Sequence, residues 1–316
     1  MLVCQRVMKL RVLLEAHHGA TYAQTLALAR ATEEAGFDAF FRSDHYLGVE
    51  PDNPRFVPTD SWTTLAGLAR DTSRVRLGTL VTATTFRLPG VLAITAATVD
   101  GMSGGRVELG VGAAWYAREH AWFGIPFPPI GERFDRLEEQ LSIITGLWTT
   151  PAGEPFSFAG LHYQIQEARN FPRPVQVPRP PIIVGGGGPR RTPTLAARFA
   201  DEFNAGFGAG LAERFARFRR ICEATGRDPA FVTLSAALPV FCGADEAEAA
   251  RRSASMDGHV LQRAAACGLP DAVVARIEDL VEAGAQTVYF HIFDVEDVDH
   301  IRLLGAEVLP RVTRAT

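Results

Sequence analysis

Cysteine is scarce in this chain: Cys4, Cys222, Cys242 and Cys267 are the only four in 316 residues. No two of them form a C-x-x-C pair, so neither a zinc site nor a disulfide framework is implied, and they read as isolated reduced thiols. Long apolar runs are missing as well, and none approaches the roughly 20 residues a spanning helix needs. Residues 1–8 hold Gln5 and Arg6 and no apolar h-region, so no secretory signal is expected. They read as a short disordered leader, with Met8 a possible working start. Excess positive charge is also absent. A net charge of -4 and a pI near 6.1 leave no broad basic surface for nucleic acid or an anionic membrane. The expectation is a cytoplasmic protein with a small-molecule partner, no nucleic acid and no membrane.

What is present is ordinary globular usage, 47% hydrophobic and 22% charged, in a chain long enough to bury a large core. One unit recurs along it: an apolar run, a loop, then a helical pattern. The runs are Leu10–Leu14, Phe37–Phe41, Val75–Val81, Val107–Val111, Ile182–Val184, Glu202–Ala205, Val232–Phe241 and Thr287–Phe293. Helices are predicted at Tyr22–Ala35, Ser61–Asp71, from Pro89, at Glu132–Leu147, Thr192–Ala200 and Leu211–Thr225. More follow at Glu246–Met256, Asp257–Cys267, Asp271–Ala283 and Val298–Val312. Thr21 and Gln24 form a capping box, and Asp60 caps the second helix. Eight buried runs alternating with helices imply a parallel sheet covered by helices, an α/β fold. That number favours a closed (β/α)₈ barrel, a TIM barrel in a single domain, over an open doubly wound sheet. The rhythm breaks at 149–181, the largest insertion, before strand 5, where a small hairpin is expected around Ala159-Gly160.

In such a barrel the chemistry gathers where strands end. Gly185-Gly186-Gly187-Gly188-Pro189-Arg190-Arg191-Thr192 joins a strand to a helix start. Glycines let a ligand approach the backbone, and N–H groups with two arginines suit an anion, so this reads as a phosphate cradle. It is not a Walker A loop, because no Gly-Lys-Ser/Thr ends it. Ser43-Asp44-His45-Tyr46 follows the second run, where a histidine can act as acid or base. A capped turn with a solvated histidine is the bland alternative. Gly110-Val111-Gly112 lacks the third glycine and the prompt helix of a dinucleotide fingerprint. Gly101-Met102-Ser103-Gly104-Gly105 has its helix and strand in the wrong order for a nucleophile elbow, and reads as a helix stop. His17-His18 and Arg118-Glu119-His120 lack the partners a metal needs, so no metal is expected. His259, His291 and His300 read as packing or surface residues, although His291 could face the barrel interior.

Several stretches in this order resemble the bacterial luciferase-like monooxygenase superfamily, in its coenzyme F420-dependent branch. They are Ala31-Thr-Glu-Glu-Ala-Gly-Phe-Asp38, Ser43-Asp-His-Tyr46, Arg76-Leu-Gly-Thr-Leu-Val-Thr82, Gly104-Gly-Arg106 and Leu109-Gly-Val-Gly112. Trp115-Tyr116, Arg118-Glu-His120, Phe123-Gly-Ile-Pro126, Glu132-Arg-Phe134, Arg179 through Gly188 and Ala200-Asp-Glu-Phe-Asn204 complete the set. The resemblance implies a hydride-transferring oxidoreductase with coenzyme F420, or a reduced-FMN monooxygenase that uses oxygen. A non-catalytic cofactor-binding relative is the reading from another class. The resemblance places the cofactor phosphate at Gly186, Gly187, Gly188 and Pro189, with Arg190 and Arg191 beside it. It lays the ring near Asp44, His45, Leu80, Val81, Thr82, Ala113, Ala114 and Trp115. It also implies a non-prolyl cis bond around Leu80-Val81, a proton-handling His45 oriented by Asp44, and a homodimer. Related sugar-phosphate dehydrogenases carry a carboxylate where Trp115 stands, so their substrate does not transfer.

Overall fold

The computed structural model describes residues 8–15, 19–48, 57–169, 171–208, 210–254 and 261–312. His17, His18, His259, the leader through residue 7 and the 255–260 part of the helices expected there lie outside the described residues.

In chain order the elements are β1 Lys9–Leu14, α1 Tyr22–Glu34, β2 Ala39–Arg42, α2 Ser61–Asp71, β3 Arg76–Thr79, β4 Thr82–Ala83, α3 Pro89–Ser103 and β5 Val107–Gly112. Next come α4 Ala117–Trp122, α5 Ile130–Thr149, the antiparallel pair β6 Phe156–Ala159 and β7 Gln164–Ala168, β8 Ile182–Gly185, α6 Arg191–Phe199, β9 Glu202–Asn204 and α7 Leu211–Ala224. The chain continues through β10 Thr233–Cys242, α8 Glu246–Ser253, β11 Ala266–Gly268, α9 Pro270–Glu282, β12 Thr287–Ile292, α10 Val298–Leu303 and α11 Leu309–Val312.

Eight parallel strands close into a barrel in the order β1-β2-β3-β5-β8-β9-β10-β12, with β12 pairing back on β1. The alternation of a strand sends successive side chains to opposite faces. Leu10, Val12 and Leu14 pack outward under the helices, while Leu13 joins Phe41, Ile183 and Tyr289 inside. The α1 capping box forms as expected, and Gly104, in the left-handed conformation at φ 68°, stops α3.

The interior is not wholly apolar. Toward the N-terminal ends of the strands, the Arg11 guanidinium bonds Glu108 at 2.8 Å, Glu202 at 3.3 Å, Asp38 at 2.7 Å and the Tyr289 hydroxyl at 2.8 Å. Tyr289 in turn donates to Glu202 at 2.7 Å. Four side chains are thus fixed around one buried cation.

Two expectations need correction. The third run is not one strand: Leu80 and Val81 separate β3 from β4, and the bond between them is cis. The segment assigned to a helix through Cys267 ends in β11, because Val240–Cys242 extends past the barrel and offers Ala266–Gly268 a partner edge. An edge of free backbone groups outweighed local helical patterning there.

Candidate active site

The rim formed by the strands' C-terminal ends gathers both segments that the sequence singled out. His45 follows β2 and the oligoglycine stretch follows β8, so they share one rim, with β3, β4 and β5 between them. Val81 ties that span together. Added Cβ atoms at Gly112 and Gly185 would come within 2.8 Å of its methyl groups, and one at Gly110 would strike the Thr79 carbonyl at 1.9 Å. The glycines of β5 and the one ending β8 therefore serve close packing on Val81 and Thr79. Leu80, half-buried, packs on the interior cluster. Thr82 turns into the core, its hydroxyl accepting from Trp62 Nε1 at 3.0 Å and donating to Thr79 at 3.0 Å.

His45 does not look to Asp44. Its Nδ1 faces Glu119 of α4, 3.1 Å and 3.2 Å from the two carboxylate oxygens. Glu119 is buried, and it also accepts the Tyr46 backbone N–H at 3.0 Å. Burial alone would push the His45 imidazolium down. The hydrogen bond and charge of Glu119, with the charges of Glu15 and Asp44, more than reverse this and leave His45 above its ordinary pKa. Asp44 is instead clamped by Arg87, at 2.5 Å and 3.3 Å. The expected orienting role of Asp44 is thereby corrected: a long arginine from the β4–α3 loop outcompetes an imidazole for it.

Trp115 lies edge-on to His45, ring centroids 5.6 Å apart, and stacks on Tyr116 at 5.0 Å with 15° between planes. Ala114 sits at φ 62°, and its carbonyl accepts from Arg133 of α5 at 2.8 Å. Arg133 is buried over the Phe127 ring, and its Nε has no hydrogen-bond partner. Burial holds its pKa below the usual guanidinium value. Its neighbour Phe134 lies by Gly188, which places α5 against both the Ala113–Trp115 segment and the glycine loop.

The cradle differs in detail from expectation. The Gly186 N–H is spent on the Asn204 carbonyl at 3.1 Å, because the loop leaves β8 still paired to β9. Gly187, Gly188, Pro189 and Arg190 are exposed. Arg191 turns away to Asp135 at 2.6 Å and the Gly131 carbonyl at 2.9 Å. Arg214 and Arg217 of α7 line the cavity against Gly186–Pro189. Gly186 holds φ 145°, and a Cβ at Gly188 would stand 3.0 Å from the buried Thr192 hydroxyl. A backbone kept bare beside a hydroxyl and arginines fits an anionic tail.

A second histidine–carboxylate contact lies on this rim, between His291 at the end of β12 and Glu15 after β1, with Phe207 stacked 5.0 Å from the imidazole. His120 is pinned between Thr85 at 2.7 Å and the Tyr116 carbonyl at 2.7 Å, which suits a packing role. His300 also packs, its Nε2 accepting the Cys242 N–H at 3.0 Å. Sequence reasoning passed over Glu119, Arg87, Arg133, Arg214 and Arg217. Glu119 and Arg133 stood in quoted motifs, but their partners are distant in sequence.

The sequence profile described as luciferase-like monooxygenase matches residues 8–259. The chain belongs to that family. An F420-dependent glucose-6-phosphate dehydrogenase of Microbacterium testaceum is 40% identical to this luciferase-like chain over 172 residues, 54% of this chain and 48% of that protein. An F420-dependent hydroxymycolic acid dehydrogenase of Mycobacterium tuberculosis is 33% identical over 233 residues, 73% and 62% of the two. The match to the first of these relatives spans about half of its length. Among solved structures, an F420-dependent secondary alcohol dehydrogenase bound to an F420–acetone adduct superposes with a TM-score of 0.82 at 20% identity, covering 98% of this chain and 100% of that one. The monooxygenase RslO1 of Streptomyces bottropensis gives 0.80 at 24%, covering 96% and 99%. These two likenesses speak to the fold.

Proposed function

We propose that the protein is an oxidoreductase that uses coenzyme F420 to exchange hydride with a small organic substrate, with His45 as the proton-handling group. The observation that carries this is the His45–Glu119 pair on the same rim as a glycine loop fitted for an anion. The names of the relatives that match this chain, F420-dependent dehydrogenases, support the choice of cofactor.

Gly187, Gly188 and Thr192, with Arg214 and Arg217 at the loop's edge, would hold the phosphate. The segment from Ala113 to Trp115, with Leu80 and Val81, would back the ring. A bound deazaflavin supplies the hydride donor or acceptor. The chain's own residues supply the rest. Glu119 accepts a hydrogen bond from the Nδ1–H of His45, which fixes the tautomer and makes Nε2 the nitrogen that exchanges a proton with substrate. The same carboxylate stabilises the imidazolium when that proton arrives. Trp115 and Tyr116 form an aromatic shelf beside His45.

The test is F420 reduction with a panel of secondary alcohols, in the wild type and in His45→Ala. Loss of about a hundredfold or more in the folded variant supports the reading, on the scale of general acid–base catalysis. Unchanged turnover, or oxygen use with reduced FMN, sinks it. The same proposal carries a homodimer and a cytoplasmic location, which light scattering and cell fractionation would check. No helix among the described residues is long and apolar enough to cross a membrane.

A further inference from the structure

Asp44 poses a physical problem. Its side chain is 1% exposed, and it adjoins in sequence the imidazole that handles the proton. A buried carboxylate is costly without a counter-charge. Left ionised at that place, it would also compete with Glu119 in setting the proton affinity of His45. The groups that face His45 come from several elements. Glu119, Tyr116 and His120 come from α4 and its lead-in, Glu15 from the end of β1, and Asp44 from His45's own loop.

The Arg87 side chain is 11% exposed and answers Asp44 directly. Nη1 meets Asp44 Oδ2 at 2.5 Å and Nη2 meets Oδ1 at 3.3 Å, the two-pronged grip that a guanidinium allows and an ammonium does not. Nη2 also donates to the Tyr46 hydroxyl at 2.8 Å and to Asp60 Oδ2 at 2.5 Å. Asp60 is the N-cap of α2, and Tyr46 donates to it at 2.8 Å. The Arg87 carbonyl is held by Gln140 of α5 at 2.9 Å. One side chain therefore joins the β2 exit loop, the start of α2 and the β4–α3 loop, on a backbone anchored to α5.

We propose that Arg87 is the positioning residue of this site, neutralising Asp44 and fixing the Asp44–Tyr46 loop so that Glu119, not the adjacent carboxylate, governs the proton affinity of His45. This rests on the reading of His45 as the proton-handling group and goes beyond it, because it says what insulates that group. The electrostatics agree. Burial alone would lower the Arg87 pKa, and the charges of Asp44, Tyr46 and Asp60 carry it above its ordinary value.

The test reads the His45 ring titration by NMR in full-length protein labelled at histidine, its signal identified by its loss in His45→Asn. Arg87→Gln removes the cation hydrogen-bonded to Asp44, leaving it only the charge of buried Arg42, and should raise the titration of His45 by up to about one unit, the scale of a nearby opposite charge. Asp44→Asn combined with Arg87→Gln should bring it back to the wild-type position. Arg87→Lys should keep the titration near the wild type while lowering turnover, since one ammonium cannot hold Asp44, Tyr46 and Asp60 together. Should Arg87→Gln fail to fold by circular dichroism, Asp44→Asn alone decides, because it leaves the Arg87 charge uncompensated and should lower the titration. An unmoved titration in a folded Arg87→Gln, no return in the double variant, or an unmoved titration in Asp44→Asn overturns the proposal. Turnover retained by His45→Ala would instead sink the underlying reading, and the titrations would still report on Arg87.

Discussion

Glu119 and His45, 74 residues apart in sequence, meet through a carboxylate oxygen 3.1 Å from Nδ1, with the second oxygen at 3.2 Å. The contact joins a helix on the rim to the end of the second strand, and it sets which imidazole nitrogen can exchange a proton.

Glu119→Gln keeps the shape and removes the charge. Burial then acts on His45 with less opposition, so its pKa should fall, by about one unit on the usual scale of such pairs. The pH–rate profile checks this: the limb that disappears in His45→Ala should move to lower pH in Glu119→Gln.

The glycine loop is tested by bulk. Gly188→Val puts carbon where Thr192 Oγ1 already stands 3.0 Å from a Cβ position. Cofactor affinity should drop about 10- to 100-fold, the worth of one or two charge-assisted hydrogen bonds, with the melting temperature little changed. Fluorescence titration reads the first quantity and calorimetry the second.

His300 gives stability a pH dependence. Burial first, and then the Arg252 charge, push its pKa down to about 3, and its neutral Nε2 accepts the Cys242 N–H. A folded pKa below the unfolded value, ordinarily about 6.5, means that the unfolded chain binds the proton first. This stabilisation is complete above about pH 6.5 and is lost as pH falls toward 3. His300→Gln should flatten that slope in urea unfolding measured from pH 7 to pH 4. The contribution of His45 has the opposite sign, since its folded pKa is raised. It is present below the unfolded pKa and lost as pH rises through the folded one.

Arg11→Met removes the cation shared by Glu108, Glu202 and Asp38, leaving Glu202 without an ion-pair partner while Arg76 stays on Glu108 and Lys9 on Asp38. Removing one partner of a buried ion network costs about 3–5 kcal/mol. Denaturant unfolding should show a loss on that scale. Loss of only a few tenths would mean that the carboxylates regain protons or water without penalty.

Much of the barrel was legible in the chain because alternation of apolar strands with capped helices is a local pattern, as Thr21 and Asp60 show. The oligoglycine stretch and His45 were legible for the same reason, since each ends a buried run. The rest depended on reach. Whether Asp44 meets His45 or Arg87 is decided by side chains 43 residues apart. Arg191 was assigned to the cradle from its place in the chain, yet Asp135 on α5 lies close enough to take it. Arg214 and Arg217 carry no local signal, because an arginine on a helix face reads as solvated until the neighbouring loop is in place. The strand through Cys267 was hidden in the same way, as its partner edge lies on β10.

The most direct measurement is equilibrium titration of the purified apoprotein with coenzyme F420 and, separately, with FMN. F420 should bind at least about tenfold more tightly, a difference of about 1.4 kcal/mol, and Gly188→Val should weaken it. Tighter binding of FMN, or F420 binding that Gly188→Val leaves unchanged, would contradict the assignment of the cofactor to this loop.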